Sequence, residues 1–317
     1  MNGLLVLDKP AGLTSHDVVA IVRRATGEKS IGHLGTLDPL ATGVLPLLLG
    51  KYTRLAQFFG QAEKQYTGTI RFGFATDTFD AEGEPVLKGT DTASRGTDFS
   101  PYISADSKDG ALAPEGKGIE LSLNALRSLA TRFHGELDQM PPVFSAKKIN
   151  GVPAYKLARD GKEVPVKPAR ITIHHFELLS LEDDVASFSM HVSAGGYVRS
   201  VAHELGELAG CGAHLFSLRR TQAGPFTLEQ SIPLDDLKRL SIAEIEARLP
   251  HPRSLLPEMP SVTVDEQTAG RIRNGMQVNL PEFSDAPLIK VFTAPRDLLC
   301  IARRIAGTLA QPSVVLG

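Results

Sequence analysis

Apolar positions along this chain fall into short runs and stripes whose spacing predicts alternating strands and helices. Gly3 to Leu7 is an apolar run ended by a Lys-Pro turn, and Thr14 and Ser15 supply N-cap candidates for a helix from about Asp17 to Thr26, closed by Gly27. The chain therefore opens strand, turn, helix. Thr53 to Phe59 reads as a short helix stopped by Gly60. From Tyr66 to Phe74 the period falls to two, with Tyr66, Gly68, Ile70, Phe72 and Phe74 on one face and Thr67, Thr69 and Arg71 on the other, which predicts a half-buried strand. Ser122 caps a helix whose stripe is Leu123, Leu126, Leu129, Ala130 and Phe133, ending at Gly135. Arg170 to His174 and Val185 to Val192 alternate as strands. Gly195-Gly196 then turns the chain into a helix from Arg199 to Ala209, and Pro233 to Leu249 carries a further amphipathic helix.

Two stretches lose this periodicity. From Pro85 to about Gly118 the chain fills with Gly, Ser, Thr, Asp and Pro, a composition that cannot bury enough surface to order itself, so 85–118 is expected to be a flexible surface insertion. Residues 139–167 combine prolines, Gly151 and basic side chains in a long excursion that could close over a ligand. The proline-punctuated HPRSLLPEMP (251–260) marks a domain boundary. Beyond it, 260–317 holds short strand-like runs and little helix, as expected of a small β module. No internal repeat is evident.

Composition narrows the class. With 317 residues, 42% of them hydrophobic, the chain can build one substantial core and a second, smaller domain. Its two cysteines, Cys211 and Cys300, make no metal-type or redox-type pair, which fits a reducing compartment. The apolar run before Asp8 is too short for a signal sequence, and Val44 to Leu49, interrupted by Pro46, is too short to span a bilayer. A soluble cytoplasmic protein is expected, with no membrane partner. A net charge of −2 argues against a general nucleic-acid binder, yet the charge is segregated. Lys147 to Arg170 carries seven Lys and Arg against Asp160 and Glu163, whereas Glu82 to Glu120 carries eight acids against four bases. That pattern fits a shape-reading contact with a phosphate backbone, and a solvated charged surface equally well.

Several familiar motifs are missing. Gly50-Lys51 is followed by Tyr52, where a nucleotide P-loop needs Ser or Thr. HELGE (203–207) has Glu207 where the zinc helix needs its second histidine. His174 and His175 are adjacent on an expected strand, so the pleat should point them to opposite faces, unable to chelate one ion. No metal and no nucleotide cofactor is indicated. The informative stretch is Gly32 to Pro46, GHLGTLDPLATGVLP, which sets a lone carboxylate, Asp38, in a glycine-rich and mostly uncharged loop. Asp before Pro is also ordinary turn chemistry, so the dipeptide alone does not separate a turn from a nucleophile.

The whole string does separate them, because it closely resembles the signature loop of the bacterial tRNA pseudouridine synthases of the TruB type, in which the loop Asp is catalytic. LDKPAGLTSHD (7–17), KQYTGTIRFGFATDTFDAEG (64–83), QMPPVFSAKKINGVPAYKLAR (139–159), GGYVRSVAHELGE (195–207) and LRRTQAGPF (218–226) resemble further blocks of that family in their usual order. They span about the first 226 residues, and the tail is similar to a PUA-type RNA-binding module. The resemblance implies an α+β fold: a catalytic domain over 1–255, with a large mixed, mainly antiparallel sheet flanked by helices and 139–167 as a thumb, then a small β-barrel-like PUA-type module over 260–317. It implies an isomerase that flips uridine 55 out of the T loop of tRNA, breaks C1′–N1 and rejoins the ring through C5. No atoms or electrons are exchanged, so no cofactor is expected, and a monomer needing no protein partner is implied.

The same resemblance assigns the residues. Asp38 is the nucleophile or proton acceptor, Arg199 holds it in register, Asp80 pairs with Arg199, and Tyr66 stacks on the target base. Leu218 walls the pocket, His33 fills the space left by flipped nucleotides, and Lys9, Arg54, Lys147 and Lys148 contact RNA. Two other readings are compatible with the blocks: a non-catalytic tRNA-folding or RNA-binding protein, and a guide-RNA-dependent relative working inside a larger particle. The presence of Asp38, Tyr66, Asp80 and Arg199 opposes the first, and the basic excursion opposes the second. The chain departs from the family pattern at Gly50-Lys51-Tyr52-Thr53-Arg54, usually Gly-x-Ala-Thr-Lys, at Lys147, usually small and apolar, and in the length of 85–118.

Overall fold

A computed structural model describes residues 1–86, 121–145, 148–149, 151–160, 164–165 and 167–317. The expected insertion, beyond Val86, lies outside the described residues, as does Lys147. Lys148 stands in a two-residue strand, Lys148–Ile149, paired with Val152–Pro153.

A large sheet organises the first 233 residues. Its strands lie in the order Ile232–Pro233, Gly3–Lys9, Thr42–Leu49, Ala213–Ala223, Lys64–Phe72, Val185–Val192, Ala169–Glu182 and Gly135–Gln139. Ile31–His33 adds to Thr42–Leu49, and Phe226–Thr227 to Ala213–Ala223. Only the pairings of Gly3–Lys9 with Ile232–Pro233 and of Thr42–Leu49 with Ala213–Ala223 are parallel. The sheet is therefore mixed and mainly antiparallel, as the resemblance implied. The unbroken apolar run at the N-terminus has a simple cause: its strand is buried on both faces. Leu5 and Leu7 join a core that includes Leu45, Ile70, Phe72, Phe188, Val201 and Leu205, beneath the helices Ser15–Thr26 and Val198–Leu208. Leu4 and Val6 face the other way.

On that second face they meet the C-terminal residues. A five-stranded sheet runs Ser261–Thr263, Leu288–Ala294, Asp297–Ala306, Leu309–Val315, Val278–Asn279, with one helix, Glu266–Arg273. Leu4, Val6, Leu48, Tyr52 and Leu55 share a buried cluster with Phe292, Leu298, Ile301, Val314 and Leu316. HPRSLLPEMP is packed between the sheets, with Leu255, Leu256 and Met259 buried, and the buried Lys290 ammonium donates to the carbonyls of Arg253, Leu255 and Leu256 at 2.8, 2.6 and 3.0 Å.

Several expectations need correction. The helix expected over Pro233 to Leu249 is two, Leu234–Leu237 and Ile242–Arg248, because Ser241 and Glu244 form a capping box that starts a new helix. The short helix after the signature loop is a 3-10 helix, Gly50–Phe58. Phe74 lies past the end of its strand, beyond Gly73 (φ 109°), and is exposed. His174 and His175 do not alternate. The register against Val185–Val192 shifts between Ile173 and His175, a β-bulge, and both imidazoles are exposed.

Candidate active site

Asp38 opens a tight turn between two strands of the large sheet, where the Ala41 amide donates to the Asp38 carbonyl at 3.1 Å. The turn is the one an Asp-Pro pair predicts. Its carboxylate, however, reaches outward to another element: Oδ2 lies 3.0 Å from Nε of Arg199, the second residue of the helix Val198–Leu208. Arg199 is almost wholly enclosed, its side chain 6% exposed, and each of its three nitrogens is engaged. Nη1 donates to Asp80 Oδ2 at 3.2 Å and to the Thr78 carbonyl at 3.1 Å, and Nη2 to the Phe144 carbonyl at 3.0 Å. Asp80 in turn accepts from the Thr78 hydroxyl at 2.6 Å and the Glu82 amide at 3.1 Å. The three groups form a chain that runs from closed to open, the Asp80 side chain 4% exposed and that of Asp38 34%.

The segment bearing Asp80 is held under strain. Phe79 has φ 65°, rare for a bulky residue, and is fixed there by hydrogen bonds to Thr76 and Leu215 and by stacking on His203 at 3.8 Å. The signature loop is fastened from three sides. The Ser15 hydroxyl accepts from the Leu37 amide at 2.9 Å and donates to the Leu37 carbonyl at 3.1 Å. The Lys9 ammonium donates to the carbonyls of Pro10, Leu13 and Pro39 at 2.9, 2.6 and 3.2 Å. The guanidinium of Arg220, itself 1% exposed, donates to the carbonyls of Val44, Gly35 and Thr36 at 2.7, 3.1 and 3.4 Å. Where the loop re-enters the sheet, Gly43 has φ 103°, and a Cβ there would lie 2.2 Å from the Arg220 carbonyl.

Electrostatics follow from this packing. Burial pushes the Asp38 carboxyl above the ordinary carboxylate value; Arg199 pulls it back, Asp80 raises it again, and Lys9 and Arg220 lower it. Burial likewise pushes Lys9 down to about 8, the Asp38 charge opposing that shift. His33 is moved down by burial, so it is neutral at pH 7; its Nδ1 is enclosed and its ring stands edge-on to His16 at 5.7 Å.

The expected residues divide accordingly. Asp38, Arg199 and Asp80 come together. Tyr66 and Leu218 are buried on adjacent strands in one cluster with Leu37, the residue before Asp38. Lys9 is enclosed and points its charge at backbone, so the structure gives it a positioning role rather than an RNA contact. Arg54 donates to the Val315 carbonyl and ties the N-terminal region to the last strand. Ser15, Gly43 and Arg220 were not foreseen. All three lie in recognisable sequence blocks, but a serine, a glycine and an arginine carry no local signal of being buried against a distant loop.

Known proteins match along the whole length. A family model described as TruB family pseudouridylate synthase (N terminal domain) matches residues 23–103 and 97–198, and one described as tRNA pseudouridylate synthase B C-terminal domain matches 199–257. The chain is 40% identical to the tRNA pseudouridine synthase B of Solibacter usitatus, with 100% of each chain covered. It is 37% identical to that of Burkholderia mallei, over 100% of this chain and 97% of the other. In fold it is similar to a chain of the archaeal box H/ACA sRNP Nop10-Cbf5 complex, with TM-score 0.64 at 21% identity over 100% of this chain and 86% of that one. With 176 of its residues under the N-terminal family model and full-length relatives at this identity, the chain belongs to the TruB family of pseudouridylate synthases.

Proposed function

We propose that this protein isomerises uridine to pseudouridine in tRNA, at position 55 of the T loop, and that Asp38 is the reacting carboxylate. The observation that carries the reading is the Asp38–Arg199 pair: a carboxylate with a third of its side-chain surface open, aimed by a closed guanidinium that Asp80 and two carbonyls immobilise. The reaction breaks C1′–N1, turns the ring and joins C5 to the same sugar carbon, while the C5 proton is lost and N1 gains one. Its need is a negative oxygen at fixed position, acting on sugar or base or accepting the proton. Arg199 supplies the position through one nitrogen while its others are spent on Asp80 and backbone.

A T-loop uridine is stacked, and extruding it costs a few kcal/mol. Tyr66 would stack on the extruded base, Leu218 would wall it, and the neutral His33 would fill the gap left in the RNA. The basic excursion 139–167, with Lys147 and Lys148, would grip phosphates. Residues 1–255 would form the catalytic domain and 260–317 a PUA-like RNA-binding module. The enzyme would act on tRNA in the cytoplasm as a monomer. Among the described residues no helix is long and apolar enough to cross a membrane. Incubating the purified chain with an unmodified T-arm transcript tests the reading. Pseudouridine formed by the chain alone is the expected result; no product, with RNA still bound, would favour a partner-dependent or non-catalytic role.

A further inference from the structure

On the solvent-facing side of the large sheet, Glu63, His174 and His191 converge from three neighbouring segments. Glu63 immediately precedes the strand Lys64–Phe72, His191 lies near the end of Val185–Val192, and His174 is the residue at the bulge of Ala169–Glu182. Ile171 and Ile173 face the core, so His174 between them and the bulge faces outward, and the bulge keeps His175 outward as well instead of turning it in. His174 thus stands beside His191, with ring centroids 4.8 Å apart. His174 Nε2 lies 3.0 Å from one Glu63 oxygen and His191 Nε2 2.8 Å from the other. The donor atoms of all three residues fall within 4.8 Å of one another.

We infer that Glu63, His174 and His191 form a binding site for a Zn²⁺-class transition-metal dication. Two imidazoles and one carboxylate are the donor set that such ions take, whereas Mg²⁺ and Ca²⁺ prefer oxygen alone. Bonds of about 2.0–2.2 Å in a tetrahedral shell put ligand atoms roughly 3.3–3.5 Å apart. The two carboxylate–imidazole separations, one to each Glu63 oxygen, are somewhat below that value, and the three donor atoms lie within 4.8 Å of one another, so side-chain rotation that brings one oxygen and both imidazoles to it completes three corners. The fourth is open to water, since all three side chains are 31–49% exposed. The ion would displace any proton between an Nε2 and Glu63, and Glu63 would offset part of its charge. Bound there, it would staple three adjacent strands at the end of the sheet where Tyr66 begins, a structural site separate from the Asp38–Arg199–Asp80 chain.

The test uses tag-free protein stripped with a chelator. Titration with Zn²⁺ in a calorimeter, and with Co²⁺ by visible absorption, should give one equivalent bound, with the intensified d–d bands of a low-coordinate Co²⁺ site. His174→Ala and His191→Ala should each weaken binding at least tenfold, and His175→Ala, next door on the same bulge, should leave it unchanged. Zn²⁺ should raise the melting temperature of the wild type and not of the first two variants. Glu63→Gln, isosteric and exposed, repeats the comparison should either alanine variant fold poorly. No binding by the wild type, or equal binding by all variants, overturns the site.

Discussion

A carboxylate can react only if it stays charged and stays aimed, and the surroundings of Asp38 set these needs against each other. Enclosure that excludes water also favours the neutral acid, and the guanidinium restores the charge it would otherwise lose. Because burial is the leading influence, the carboxyl titrates above the ordinary 3.8. In the proposed role the active form is the anion, so activity should be lost as pH falls through that raised value. The acid limb of kcat/KM on a T-arm substrate should therefore lie above 3.8, and a limb at or below that value would contradict this account. Asp38→Asn, which keeps shape and removes charge, should lower kcat by about 10³-fold or more while RNA affinity changes only a few-fold. Quantitative pseudouridine assays beside filter binding separate the two effects. Glu204 is a second buried acid with a different consequence. Enclosure in the helix Val198–Leu208 pushes it up to about 8, and one of its oxygens has no partner among the described residues. Its folded value lies above its unfolded one, so the fold is relatively most stable below about pH 4.5 with respect to this group and loses stability as pH rises toward 8. Denaturant unfolding at pH 5 and pH 9 should show Glu204→Gln abolishing a pH-dependent loss on the order of a few kcal/mol.

Elements bring these residues together by gripping the loop's backbone as well as by packing against Leu37 and Ala41. Ser15 at the start of a helix, Lys9 at the end of a strand and Arg220 within another all bind backbone of the signature loop or its flanks. The turn itself is local chemistry, but its placement under the Arg199 helix is not. Gly43 is the point where this arrangement is least tolerant. A side chain there would meet the Arg220 backbone as well as an unfavourable φ, so Gly43→Ala should cost about 2–4 kcal/mol. Equilibrium unfolding in urea would measure it, and an unchanged midpoint would mean that the loop and its neighbouring strand can part without penalty.

Across the whole molecule, the two sheets are not beads on a string. The N-terminal strand and the 3-10 helix after the signature loop bury apolar side chains against the C-terminal sheet, Lys290 fastens the link, and Arg54 ties to the final strand. Residues 260–317 therefore serve stability as well as any role in binding RNA. A chain ending at residue 257 would expose Leu4, Val6, Leu48, Tyr52 and Leu55, a contiguous apolar surface. It should melt at a clearly lower temperature and aggregate on size-exclusion chromatography; a monomer with an unchanged melting temperature would show that the sheets are independent.

Features that depend on a few neighbouring residues could be read directly along the chain. The Thr14 cap and Gly27 stop, the Asp-Pro turn, the alternation from Tyr66 to Phe72 and the continuous apolar run of a doubly buried strand were all legible, because each is settled within one turn or one face. The Ser241–Glu244 box was just as local and was masked by a leucine stripe that runs across it. Family blocks marked Asp38, Asp80 and Arg199 as partners. How they meet, and which cations turn inward, follows from long-range packing, since Arg199 and Asp80 stand 119 residues apart. An arginine or lysine reads the same whether it meets solvent, RNA or buried carbonyls, and a bulge that leaves His174 and His175 on one outer face leaves no mark in the strand's own residues. Charge partners and strand register are set by long-range pairing, and that information exists only once the sheet has formed.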